Sequence, residues 1–546
     1  MDDFSQPLPR LTITMMAMIG VKQLFKKHAC YLSLFLLAAP LVATAQDVPV
    51  NHENPVQLVF TRLSAACPGL AAHLDIPAQS LLQAFYQQQG DQPLWSSSAR
   101  LEALQAQLQQ LADDGLDPAD YRSPASALAG DALCADLSFS QHYLQALHDL
   151  HYGRLSQARF EPMWHAHPLQ LDRQAQVLAI AGPGLQDIPA AFALARPSLE
   201  QYQNLRQLYA QQRQLELPHW QPLPSGPLLR PQMQDARVPE LAQRLFKEGY
   251  LNTLGNEGDT LYSGDLVSAV KSFQLSHSLQ VDGVIGAGTL NELNISPQMR
   301  REQLRINLER FRWLAQDMEP DSLLVNLAAA QLIVYQDGVP VWQTRTQVGR
   351  AERQTPLLKS QVTRLTLNPT WTVPPTIFRE DKLPEIRRDQ SFLNRQNLQV
   401  LDSEGHPLAV EDIDWDNPGN ILLRQEAGPR NPLGQMAIRF PNPFSVYLHD
   451  TPSQALFNKG PRAFSSGCVR VEHALQLRDL LVSPAERVRT DELLSTGLTH
   501  EFRLSTPVPI LLTYWTAQAD SHGQLSYAPD IYGRDAALLV ALNSKL

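Results

Sequence analysis

From residue 57 to 220 the apolar positions recur at helical spacing. Leu81, Leu82, Phe85 and Tyr86 form one stripe; Leu101, Leu104, Leu108 and Leu111 form another, stopped by Gly115-Leu116-Asp117-Pro118. Tyr143, Leu144, Leu147 and Leu150 predict a third helix, and Leu199, Tyr202, Leu205, Leu208 and Tyr209 a further one. His151, His165 and His167 follow no regular spacing and read as surface or capped histidines rather than metal ligands. Five prolines between 217 and 236 (Pro218, Pro222, Pro224, Pro227, Pro231) then read as a linker. Helical spacing resumes over 237–297 in three short segments: Leu241, Leu245 and Phe246; Val267, Val270 and Phe273; Thr289, Leu290 and Leu293. An Asp282-Gly283 turn precedes the third.

Beyond Gln298 a basic, helix-favouring stretch (Arg300, Arg301, Arg305, Arg310, Arg312) leads into alternating positions that predict strands at 325–327, 332–335, 339–348 and 363–367. Residues 378–415 are charged and read as helical. Strand patterns resume at 421–423, 436–440 and 445–448, a helix is expected directly after Cys468, and 508–514 reads as the last strand. The prediction is a multidomain α+β protein. A helical domain spans 57–220 and a three-helix unit 237–297. A mostly β domain spans 320–517, with a helical insertion at about 378–420, and a C-terminal segment follows over 518–546, of which 530–546 packs back as a short helix.

Composition narrows the class. The chain has 546 residues, 44% hydrophobic and 18% charged, which suits several buried cores and excludes a wholly disordered protein. A single long apolar run excludes a polytopic membrane protein. Lys22, Lys26 and Lys27 precede an uncharged stretch over 29–45, broken by Pro40 and ending in Ala43-Thr44-Ala45; residues 1–45 read as a secretory signal peptide or, left uncleaved, an N-terminal anchor. Membrane contact is expected only through that segment. The net charge of -10, with no Lys/Arg block elsewhere, argues against nucleic acid as a partner. Four cysteines minus Cys30 leave three; Cys67 and Cys134 can pair, and Cys468 is left alone. A free thiol in an exported chain is either buried and inert or needed for chemistry.

The surroundings of Cys468 favour chemistry. Tyr447-Leu448-His449-Asp450-Thr451-Pro452 is followed by Phe464-Ser465-Ser466-Gly467-Cys468-Val469-Arg470, with fifteen residues between His449 and Ser465. A thiolate is a good nucleophile towards carbonyl carbon, and a neighbouring imidazole can lower the thiol pKa and act as base. Gly467 permits a tight turn that aims N–H groups at the carbonyl under attack, a following helix would favour the thiolate, and Arg470 can neutralise a substrate carboxylate. A backbone carbonyl is the expected orienter of His449, because Asp450 points to the other face of a strand.

This stretch resembles the catalytic signature of the L,D-transpeptidase family, a histidine followed one loop later by Ser/Thr-His-Gly-Cys. Asn326-Leu327, Thr355-Pro356, Asn368 to Pro375 and Asn431-Pro432-Leu433-Gly434 match as well. Phe273-Gln274, Leu279, Asp282-Gly283, Gly286 and Thr289 resemble the three-helix peptidoglycan-binding domain. The order of parts is similar to the large periplasmic Gram-negative members, in which the helical part is a scaffold and the insertion a lid. The resemblance implies periplasmic acyl transfer between peptidoglycan peptide stems, giving 3→3 cross-links, with Cys468 as nucleophile, His449 as base and Gly467 at the oxyanion turn. Arg470, Tyr447, Ser466 and Trp371 would contact substrate. Ser466 stands where many relatives carry a second histidine, so the base falls to His449. No metal or cofactor is implied, and other cell-wall synthases stay open as partners. A carboxypeptidase, an enzyme of protein–peptidoglycan links and a non-catalytic wall-binding protein are the alternatives.

Overall fold

The computed structural model describes residues 55–72, 74–122, 132–168, 172–256 and 258–545. The expected signal segment, 1–45, lies outside the described residues, among which no helix is long and apolar enough to cross a membrane. The helical part is built on Ile76–Gln88, Ser98–Gln110, Ala132–Tyr152, Arg173–Gly184 and Ile188–Ala195. Asp75, Ser97, Asp172 and Asp187 start four of these by accepting a hydrogen bond from the N–H three residues on. Their apolar faces share one core, which includes Leu82, Phe85, Leu104, Tyr143, Leu147 and Phe192. Cys67 and Cys134 form a disulfide within it.

Three helices, Val238–Lys247, Gly264–Ser276 and Ala287–Leu293, make the second unit. Its motif residues hold one turn together. Buried Gln274 accepts from the N–H groups of Asp282 (3.1 Å) and Gly283 (2.8 Å) and donates to Val284 O (3.0 Å) and Thr289 Oγ1 (3.2 Å). Gly283, at φ +71°, supplies the left-handed position. The proline-rich segment before this unit is not the free linker that its composition predicts. Leu223 and Leu229 are buried in the unit's core, and Leu229 bridges to Ile285. Asn294 also bonds both the N–H and the carbonyl of Leu223, and Arg237 donates to Pro227 O.

The strands, in chain order, are β1 (Trp164–His165), β2 (Ser322–Asn326), β3 (Gln331–Gln336), β4 (Val339–Gly349), β5 (Leu358–Leu367), β6 (Trp371–Thr372), β7 (Gln399–Leu401) and β8 (Leu422–Gln425). Then come β9 (Met436–Arg439), β10 (Leu448–His449), β11 (Ala463–Ser465), β12 (Val469–Val471), β13 (His500–Thr513), β14 (Ala517–Ala519) and β15 (Leu525–Tyr527). The main sheet runs β1-β5-β13-β2-β3-β4-β12-β10-β9, and β9 pairs back onto β5, so the sheet closes on itself. Alternation sorts the side chains. Leu323, Val325, Leu332, Leu448, Val469 and Val471 fill one core, while Leu324, Ile333, Tyr335 and Leu511 meet the helices outside. β1 comes from the helical region, which is therefore not purely helical; it lends an edge strand parallel to β5.

Helix Pro297–Leu314 is the basic stretch, but its last arginines are not solvated. Arg310 and Arg312 are fully buried, paired with Glu161 and Asp535 and with Glu309. The insertion is mixed rather than helical. Short helical turns over 375–395 are followed by the small sheet β6-β8-β7, with its own core of Val373, Phe378, Ile386, Leu393, Val400, Trp415 and Leu423. After Tyr514 the chain adds the β14–β15 hairpin, so β13 is not the last strand, and helix Asp535–Asn543 packs back near Pro297–Leu314.

Gly460, in the loop between β10 and β11, lies against the second unit: a Cβ there would overlap the backbone of Leu279 and Gln280. Gly460→Ala is expected to destabilise this contact by about 1–3 kcal/mol, as overpacking does elsewhere. Faster proteolysis of the 454–462 loop in the variant would register it, and unchanged cleavage would refute it.

Candidate active site

The register of three strands sets the site. β10 runs parallel to β12 (Leu448 with Val469, His449 with Arg470) and antiparallel to β9 (Leu448 with Ile438, His449 with Ala437). Arg470 in turn faces Gln347 of β4. Paired residues share a face, and successive residues alternate. Ile438, Leu448, Val469 and Val471 therefore point into the core. Tyr447, His449, Cys468, Arg470, Arg439 and Gln347 fall on the opposite face. One additional hydrogen bond, Val469 N–H to Tyr447 O at 3.1 Å, carries the register back to Cys468.

The turn that presents Cys468 is tightly bonded. Ser465 Oγ accepts from Gly467 N–H at 3.1 Å and donates to Cys468 O at 2.5 Å. Gly467 sits at φ +115°, where a side chain would be strained. Thr355 Oγ1 donates to Gly467 O at 2.8 Å and Arg350 N–H to Ser465 O at 3.0 Å, so the segment after β4 forms a shelf under the turn. The Gly467 N–H itself is taken up by Ser465. One sequence expectation fails here. Cys468 is followed by strand β12, and the helix, Ala474–Leu481, starts only afterwards, so no helix dipole reaches the sulfur. The Val469-Arg470-Val471 alternation explains the strand.

His449 is buried, and its Nδ1 lies 2.5 Å from the backbone carbonyl of Asp450. That contact assigns the proton to Nδ1 and leaves Nε2 as the free acceptor. The Asp450 carboxylate turns away and accepts from Gln435 N–H at 2.9 Å. Burial, then the charges of Arg470 and Arg439, lower the imidazole to about 3, against the pull of the Asp450 carbonyl. Burial raises the Cys468 thiol, opposed by hydrogen bonds from the Tyr447 backbone and hydroxyl and by Arg439 and Arg470. Both shifts favour the uncharged forms, a thiol and a neutral imidazole. Two guanidinium groups already supply the positive charge, and a third cation is disfavoured. The Cys468 sulfur rests 3.8 Å from Ser445 O, and the rings of Tyr447 and His449 lie 5.6 Å apart.

Two consequences are measurable. The stability linked to His449 is intact above the ordinary imidazole value of 6.5 and is lost as pH falls towards 3, because its folded value is depressed. Alkylation of Cys468 by iodoacetamide is expected to climb about tenfold per pH unit from neutrality up to the thiol's raised value, because only the thiolate reacts. A plateau between pH 5 and 7 (roughly the range where a preformed ion pair would react) would overturn the neutral pair.

Arg439 was not legible as a site residue. Its guanidinium lies 3.8 Å from the centre of the Tyr447 ring and its Nε donates to Thr366 Oγ1 at 3.3 Å. Burial and the nearby sulfur raise the Tyr447 hydroxyl, which stays a donor. Arg470 donates to Gln347 Oε1 at 3.1 Å, while its buried Nε has no protein partner. Ser466 accepts from Arg353 Nη1 at 2.9 Å. Trp371 is not among these residues; it packs on the insertion's core with Lys382 Nζ 5.8 Å from its ring centre. Arg462, in the loop between His449 and Cys468, reaches back to Ala329 O and Thr346 O. Among the described residues, Asp402, Glu404 and His406 have ligand-like spacing, but Asp402 Oδ1 accepts from the Glu404 and His406 N–H groups of an exposed turn.

Parts of the chain match known protein families. Residues 320–510 match the L,D-transpeptidase catalytic domain, 80–208 a scaffold domain and 234–293 the domain described as "Putative peptidoglycan binding domain". A Haemophilus influenzae protein named "Putative L,D-transpeptidase" is 33% identical over 261 residues, 46% of this chain and 51% of that protein. The chain thus spans about half the length of the curated relative it matches. Among solved structures, an L,D-transpeptidase from Mycobacterium smegmatis is 15% identical with a TM-score of 0.16 over 35% of this chain and 57% of its own. Residues 123–326 of one from Xylanimonas cellulosilytica are 16% identical with a TM-score of 0.17, over 53% and 98%. The chain thus carries a match to the L,D-transpeptidase catalytic domain, joined to matches to a scaffold and a peptidoglycan-binding domain, and over its matched part it is similar to a protein named for that activity.

Proposed function

We propose that the protein is a peptidoglycan L,D-transpeptidase that joins peptide stems by 3→3 cross-links through a thioester on Cys468. The observation that carries the reading is the convergence of Cys468, His449, Tyr447, Arg439 and Arg470 on one face of β9, β10 and β12. Cys468 Sγ attacks the carbonyl carbon of the third residue of a tetrapeptide stem, and the thiol proton passes to His449 Nε2. The tetrahedral oxyanion is held by the Cys468 N–H and the Tyr447 hydroxyl, and the two arginines offset its charge. When the carbon–nitrogen bond breaks, His449 returns the proton to the departing D-Ala amine, leaving the thioester. In the second step the side-chain amine of a diaminopimelate on a neighbouring stem attacks the thioester. It loses a proton to His449, and the cysteine leaves and is reprotonated.

An uncharged His449 leaves Nε2 open to accept the thiol proton, the role each half-reaction asks of it. Arg470, with its spare buried Nε, receives a stem carboxylate. The insertion acts as a lid, with Trp371 at its root lining the cleft, and the N-terminal segment exports the chain to the periplasm. Incubation of the protein with disaccharide-tetrapeptide, followed by mass spectrometry, tests the reading. A 3→3 dimer with released D-Ala is expected. Tripeptide without dimer would assign a carboxypeptidase, and unchanged substrate would favour a wall-binding protein.

A further inference from the structure

Among the described residues, the hydrogen bonds that connect the insertion with the Ser465–Cys468 turn pass through Arg353. This residue lies on the short turn Ala351–Arg353 after β4, in the shelf that already bonds Ser465 and Gly467. Its Nη1 donates to Ser466 Oγ at 2.9 Å and to Asp381 Oδ2 at 2.7 Å. Its Nη2 donates to Asp381 Oδ1 at 2.8 Å and to Glu380 Oε2 at 2.5 Å. Arg350 Nη2 adds a weaker approach to Asp381 at 3.6 Å.

Both acids sit on the π-helical turn Phe378–Lys382, at the start of the insertion, and wide turns of this kind gather at functional sites. The Asp381 arm dominates: Glu380 is 61% exposed, whereas Arg353 and Asp381 are 11% and 32% exposed. A guanidinium is planar, so a fork fixed on one carboxylate also fixes the direction of its remaining N–H groups. The position of the insertion thereby sets the donor that Ser466 receives, two residues before the sulfur.

We propose that Arg353 is a positioning residue: docked on Asp381 and Glu380, it holds Ser466 and the nucleophile turn in attacking geometry, so that Cys468 is fully competent only beneath the docked insertion. This rests on the assignment of Cys468 as nucleophile. When the insertion swings away, the guanidinium loses its carboxylates, Ser466 loses a fixed donor, and the turn loosens. Lid closure and nucleophile alignment become one event.

Asp381→Asn, nearly isosteric and partly exposed, is the first test, with Arg353→Lys as a second variant that keeps the charge but not the fork. Hydrogen exchange over 375–395 is expected to quicken about tenfold in the aspartate variant, and less in the lysine variant, as a charged hydrogen-bonded contact is weakened. Iodoacetamide should alkylate Cys468 several-fold faster, and kcat for the tetrapeptide should fall with little change in KM. Unchanged exchange would overturn the latch. Faster exchange with unchanged alkylation would overturn the coupling, leaving only a mobile insertion. Exchange and alkylation need no substrate, so both can be read even if the native protein makes no product, an outcome that would sink the transpeptidase reading instead.

Discussion

Cys468→Ala is expected to remove both the 3→3 dimer and the tripeptide, a fall of about 10⁴-fold or more, because the thioester is common to transfer and hydrolysis. The neighbouring groups would stay: Tyr447, Arg439 and Arg470 are held by the sheet and by each other, so the variant should still bind stems. Cys468→Ser sharpens the test. A hydroxyl beside a neutral imidazole is a far weaker nucleophile than a thiol, and burial that already raises the thiol would raise an alkoxide further. The serine variant should therefore fall nearly as far as alanine. Dimer formation by the alanine variant at more than a few per cent of the native rate would end the thioester mechanism, whereas loss of dimer with tripeptide intact would place water activation elsewhere.

The second large effect concerns stability. Glu309→Ala is expected to cost about 3–5 kcal/mol, since it strips the counter-charge from a buried cation. Glu309 and Arg312 are both fully buried, with Arg312 Nη2 2.5 Å from Glu309 Oε2. Glu309 Oε1 also accepts from Leu155 N–H at 2.6 Å, and Arg312 Nη1 donates to Asp114 O at 2.7 Å. The pair thus ties helix Pro297–Leu314 to two places in the helical part. Removing Arg312 together with Glu309, in favour of apolar side chains, should recover most of the loss, because the penalty lies in the stranded charge. Urea unfolding of the single and double variants reads this directly. A single variant within about 1 kcal/mol of native would show that water reaches the site.

The parts of the site that were legible are those that lie close in sequence. His449, Gly467 and Cys468 declared themselves by residue type, a glycine turn and one intervening loop. The depressed imidazole was hidden, because it depends on burial first and then on Arg470 and Arg439, which strand register brings to the same face. The latch was hidden for a similar reason: Arg353 meets Asp381 at the start of the insertion, but Ser466 only after the chain has crossed the whole of it. The Arg300–Arg312 stretch shows the limit of composition. Its charge count reads as a wet surface, yet the partners that allow burial, Glu161 and Asp535, lie far away in sequence. Helical periodicity fared better in the N-terminal third, where each stripe needs only its own neighbours. It misled over the insertion, whose charged residues lie on brief turns and a small sheet instead of one helix.

The parallel pairing of β10 with β12 has a consequence for how such a chain can vary. Parallel neighbours cannot be joined by a hairpin, so the chain between His449 and Cys468 must leave the sheet, pair β11 with β4 and return. The separation of His449 and Cys468 is therefore a property of the ladder, not of the connecting segment. Lengthening that segment beyond Gly460 by a few residues alters a loop whose closure entropy grows only slowly with length. The placing of His449 beside Cys468 is in this sense insulated from insertions elsewhere in the segment, whereas Gly460 and Arg462 stay tied to the surfaces they already meet.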